Sequence, residues 1–141
     1  MTPDQIRLVQ ESFRTAVAIP EVAATIFYQR LFAIDPGLRG MFRSTDMVRQ
    51  GAKLMASLGF VVHGLDRADT LLPIVRALAS RHAAFGLAEH HCASVGRALI
   101  ETLAAGLGAG FTPEVRDAWQ AAYALLSGVI NESASTEAIA A

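Results

Sequence analysis

Three polar side chains stand where this helical sequence should place apolar ones, and their types suggest chemistry. His82 falls on the stripe Leu71, Val75, Leu78, His82 and Phe85, which recurs at spacings of four, three, four and three residues. Tyr28 lies beside Phe27, Leu31 and Phe32. Gln50 stands one helical turn before Leu54, on a stripe that continues through Leu58, Val61, Val62 and Leu65. A polar group buried without a partner is costly, so each of these positions needs a reason. A neutral imidazole can offer one nitrogen to a metal while the other donates to a carbonyl that fixes the ring. A single axial histidine leaves the opposite side of an iron centre open to a small ligand. Tyr28 and Gln50 are hydrogen-bond donors of moderate length, able to reach such a ligand. The residues alone leave blander readings open. These are a core histidine satisfied by hydrogen bonds, a tyrosine with its hydroxyl at the surface, and a solvated first-turn glutamine.

The other candidates carry less. His90 and His91 are adjacent, point in different directions on a helix, and suit a solvated helix start. His63 suits a surface or capping position near a helix end. The run Gly106-Leu107-Gly108-Ala109-Gly110 follows no strand and lacks a full dinucleotide-binding spacing, so it reads as a loop between helices. Cys92 is the only cysteine, which excludes an intrachain disulfide and a cysteine-rich zinc site and suits a reducing compartment.

The elements that must position these residues are helical throughout. Thr2-Pro3-Asp4-Gln5 opens the first helix with a capping box, and Pro20 breaks the chain after about Ala18. A second helix is predicted from Glu21 to about Ile34, ended by Asp35-Pro36-Gly37. A short turn over Leu38–Phe42 and a polar connection, Arg43-Ser44-Thr45-Asp46, lead to a long helix over Met47–Leu65. Asp69 or Thr70 should cap the next helix, with Pro73 in its first turn and Gly86 as its stop. Helix is then expected from Ala88 to Leu107 and from Thr112-Pro113 to about Asn131, with a frayed tail over 133–141. The fold class expected is therefore all-α, in one domain.

Bulk properties agree. The 141 residues are 52% hydrophobic and 18% charged, with 12 basic and 13 acidic residues and a formal net charge of −1. That balance favours neither nucleic acid nor an acidic membrane as partner. No apolar run approaches the roughly 18 residues of a spanning helix, and the N-terminus lacks a signal-peptide pattern, so a cytoplasmic protein is expected.

Several segments together resemble a known family. Phe27-Tyr28-Gln29-Arg30-Leu31-Phe32 is followed by Asp35-Pro36 and Phe42, then by Gln50 with Leu54. Arg81-His82 with Phe85, Val95-Gly96, and Ala118-Trp119 with Tyr123 complete the series. Their order and spacing resemble bacterial single-domain globins and the haem domain of flavohaemoglobins, over about Asp4 to Asn131. The resemblance implies a three-over-three helical sandwich, with residues 1–132 as the globin domain, holding haem b (iron protoporphyrin IX). It makes His82 the iron ligand and Tyr28, Gln50 and Leu54 the residues facing a gas. Phe42, Leu54, Leu78, His82, Phe85 and Val95 would contact the cofactor.

Two departures qualify that expectation. Flavohaemoglobins carry a tyrosine where this chain has Cys92, and a last-helix glutamate that here aligns near Ala134, with Glu132 offset by two. Without that network the Nδ1 hydrogen of His82 would rely on a backbone carbonyl, and oxygen activation is expected to be weaker. Flavohaemoglobins also continue into a flavin- and nicotinamide-binding reductase, so an external reductase is the expected electron source. The function implied is reversible O2 binding, with NO and CO as further ligands, in a monomer or weak homodimer. The alternatives are a nitric oxide dioxygenase and a haem-free sensor or interaction module.

Overall fold

The computed structural model describes the backbone of residues 1–84 and 89–140 and, among these, the side chains of residues 1–77 and 93–128. Within them the chain forms six α-helices and no strand: α1 Pro3–Ala16, α2 Pro20–Ile34, α3 Met47–Gly64, α4 Ala68–Ala84, α5 Glu89–Leu107 and α6 Pro113–Ala140. Short 3-10 turns cover Pro36–Phe42, Leu65–Arg67 and Gly108–Gly110.

The helix starts have local causes. The Thr2 hydroxyl accepts from the Gln5 backbone N–H at 3.1 Å, while the Gln5 side chain accepts from the Thr2 N–H at 3.0 Å. This is the expected capping box, and each bond satisfies a donor that the first turn would leave without a partner. Asp46 does the same for α3, its Oδ1 accepting from the N–H groups of Val48 at 3.0 Å and Arg49 at 3.3 Å. The Thr112 hydroxyl accepts from Val115 N–H at 3.3 Å at the start of α6. At Gly108 the backbone takes φ +53°, a left-handed conformation that glycine adopts without a Cβ penalty. It separates α5 from α6.

Several boundaries differ from the sequence-based expectation. Helix α1 closes at Ala16, where the Val17 N–H bonds back to the Phe13 carbonyl at 3.0 Å. Pro20 begins α2 one residue earlier than expected, because proline's fixed φ suits a first helical position. The chain turns by 101° between α1 and α2. Helix α3 ends at Gly64, and Leu65 enters a 3-10 turn that runs directly into α4 at Ala68. Pro73 consequently lies inside α4, beyond its first turn, where it has no N–H to donate to the carbonyl of exposed Asp69. Helix α6 continues past Asn131 to Ala140, since the alanine-rich segment contains no glycine or proline to stop it.

The helices bury two apolar clusters. The larger joins Val9 and Phe13 of α1, Val62 of α3, Leu71 and Val75 of α4, Leu103 of α5 and Trp119 of α6. A deep polar contact in it is closed: Trp119 Nε1 donates to Ser12 Oγ at 2.8 Å, and Ser12 donates to the Leu8 carbonyl at 2.6 Å. The smaller cluster lies where α2 crosses α3 and α5, and it consists of Phe27, Tyr28, Leu31, Leu38 and Ala98. Leu99 of α5 packs against both. Among the described residues no single helix is long and apolar enough to cross a membrane.

Candidate functional site

The smaller cluster is built from aromatic residues around one hydroxyl. Tyr28 is buried on α2, and the ring of Phe27 meets it edge-on at 5.1 Å between centroids. Phe32, one turn along α2, lies 5.9 Å away, and Phe42 of the 3-10 turn lies 5.7 Å away. Phe32 and Phe42 pack on each other at 5.6 Å. Tilted and edge-on pairs of this kind add about 0.5–1.5 kcal/mol each beyond area burial, so the ring of Tyr28 is held in a defined place. Arg39 sets its guanidinium 5.6 Å from the Phe32 ring centroid and covers the outer side.

Helix α3 brings Gln50 to this hydroxyl. Asp46 caps the helix, and the Gln50 N–H makes its first-turn bond to the Asp46 carbonyl at 2.9 Å. Close approach of the two helices depends on Gly51: a Cβ there would stand 2.9 Å from the Ala24 Cβ of α2. Burial pushes the Tyr28 phenol above its ordinary pKa, and a hydrogen bond with the Gln50 side chain opposes that rise. The hydroxyl therefore stays protonated at neutral pH and remains a donor.

Apolar side chains complete the surround. Phe42, Leu54 and Val95 all pack against the Tyr28 cluster while remaining only partly buried, as do Phe32 and Met47. The structure thus brings together Tyr28, Gln50, Leu54, Phe42 and Val95 from four separate elements. His82 and Leu78 lie on α4, but their side chains fall outside the described residues, and Phe85 falls outside them altogether. The side chains of His90, His91 and Cys92 are outside them as well. His63 is exposed in the last turn of α3, as expected. Among the described residues no group of three His, Cys, Asp or Glu side chains gathers to hold a metal ion.

One contact had no signal in the sequence. Ser94 Oγ donates to Asp35 Oδ2 at 3.1 Å, tying the end of α2 to α5 next to Val95. Asp35 reads from sequence only as part of a helix stop, because a partner 59 positions away leaves no local pattern.

The family model described as Globin matches residues 25–130. Among curated proteins the chain is 30% identical over 133 residues to a flavohemoprotein of Deinococcus radiodurans, covering 92% of this chain and 33% of that protein. It is 29% identical over 132 residues to a flavohemoprotein of Bordetella parapertussis, with the same coverage of each. The chain spans about a third of the length of these relatives. Among solved structures, a hexacoordinated heme protein from an anhydrobiotic tardigrade superposes with a TM-score of 0.85 over 96% of both chains, at 16% identity. That likeness bears on the fold alone.

Proposed function

The chain belongs to the globin family, and on that premise we propose that it holds haem b through His82 and binds O2 reversibly beside Tyr28 and Gln50. The described residues suit such a group. Phe42, Leu54 and Val95 each pack on the aromatic cluster yet keep apolar surface uncovered, which a flat apolar macrocycle can bury. When bound, haem supplies an iron atom with one position for a protein ligand and another for a small gas.

The chain's own residues then have separable tasks. His82, assigned through the family resemblance, would anchor the group from α4. The Tyr28 hydroxyl, kept neutral by burial, would donate a hydrogen bond to a bound gas. The Gln50 amide both steadies that hydroxyl and offers a second donor. Leu54 and Phe42, packed against the Tyr28 cluster, would limit the room around a bound gas. A hydrogen bond to a charge-bearing acceptor is worth about 1.5–3 kcal/mol, so two donors imply slow O2 release.

The pairing of buried Tyr28 with Gln50 on a partly uncovered apolar shelf carries this reading. Absorption spectra of the ferric, ferrous and oxygenated forms test it. Protein from haem-replete cells should show a Soret band and oxygenate reversibly, and a colourless protein would overturn the proposal. His82→Ala should lose its haem on desalting. A Soret band that survives unchanged in that variant would remove His82 as the ligand.

A further inference from the structure

On the side of α5 away from Tyr28, we propose that the groove between α5 and α6 binds an organic anion with an apolar body, such as a medium-chain carboxylate. The groove has a volume of about 360 Å³ and is open to solvent along one side. That volume lies at the lower end of the roughly 300–1,000 Å³ typical of small-molecule sites.

Helix periodicity explains its existence. Ala93, Gly96, Arg97 and Ile100 share one face of α5, and Arg116, Gln120, Tyr123 and Ala124 share one face of α6. Small residues at 93, 96 and 124 leave space between the helices. Tyr123 closes the inner wall against Gly96, where an added Cβ would stand 2.5 Å from a carbon of the ring. Val95 and Ala98, on the same helix, serve the Tyr28 cluster instead, so the groove is a separate site.

Charge selects the ligand. Arg97 and Arg116 come from opposite helices, and among the described lining residues none is acidic. Arg97 also pairs with Glu101 at 3.6 Å, but its side chain is 69% exposed. Such exposed pairs are weak because water screens them, so the guanidinium is readily shared with a ligand. Asp117 follows Arg116 directly and therefore points to a different face of α6. Arg97 and Arg116 both line the groove and a guanidinium fork pairs well with a carboxylate, while Gln120 adds a further donor. A bare inorganic anion would leave Ile100 and the alanines wet, whereas an alkyl chain would cover them.

Isothermal titration of the purified haem-loaded protein with decanoate tests the assignment. Saturable binding of one decanoate per chain is expected, weakened at least tenfold in Arg97→Ala/Arg116→Ala and in the groove-filling Ala93→Leu. Decanol and acetate should each bind at least tenfold more weakly than decanoate. The three substituted residues are exposed, so these variants leave the core intact. The Soret band should not move on binding. Absence of binding, equal affinity in the double-arginine variant, or a Soret shift that places decanoate beside the haem would each overturn the proposal.

Discussion

The two apolar clusters of this molecule handle buried polarity in opposite ways. In the larger cluster the Trp119 indole and the Ser12 hydroxyl satisfy each other and the Leu8 carbonyl, and closely packed residues from five helices surround them. In the smaller cluster the Tyr28 hydroxyl meets the Gln50 side chain, and Phe42, Leu54 and Val95 stand beside it incompletely covered. The first arrangement holds the helices together, whereas the second leaves apolar surface uncovered beside a buried hydroxyl. Leu99, which touches both clusters, shows that one helix can serve both ends.

The contrast can be broken from either side. Trp119→Ala should have the largest effect on stability, about 3–5 kcal/mol, because it opens a cavity and strips a partner from Ser12. Thermal melting should register that loss, while O2 dissociation from the refolded protein should change less than about twofold. A large kinetic change would mean that the two clusters are not separable. Gly51→Ala should cost about 1–3 kcal/mol by pushing α3 off Ala24. It should also speed O2 release by separating Gln50 from Tyr28. Adding Ala24→Gly should recover both properties, and failure to do so would show that this contact does not set the crossing.

Tyr28→Phe isolates the smaller cluster's chemistry. Its stability cost should stay near 1 kcal/mol, but O2 dissociation should accelerate about tenfold or more, as expected from losing one charge-assisted bond. An unchanged off-rate in stopped-flow would place the hydroxyl away from the gas. The smallest effect concerns pH. Because burial raises the folded-state pKa of Tyr28, its contribution to stability is complete below roughly pH 10 and declines as pH climbs through the folded value. Near-ultraviolet titration should show a late phenol ionisation in the native protein that disappears in Tyr28→Phe.

Much of the fold was legible because helix signals act within a turn or two of sequence. The Thr2 box, the break at Pro20 and the glycine-marked end of α5 are all interactions spanning a few residues. The continuation of α6 to Ala140 was not, since a polar composition reads as a frayed tail even where no residue forbids helix. The residues of the candidate site were legible only in part. Tyr28 and Gln50, like His82, stood out as polar positions on apolar stripes, whereas Leu54, Phe42 and Val95 entered through the family resemblance.

What the sequence determined by itself was the set of helices, the positions where polarity interrupts an apolar face, and the family those positions resemble. Only the tertiary structure decided which of those positions meet. Tyr28 reaches Gln50 because Gly51 allows α3 to lie against Ala24, and Ser12 reaches Trp119 across 107 positions because α1 and α6 pack together. Helical periodicity is enforced by bonds between near neighbours and so is written locally. Contacts between distant residues depend on where whole helices cross, which is settled by packing many side chains at once.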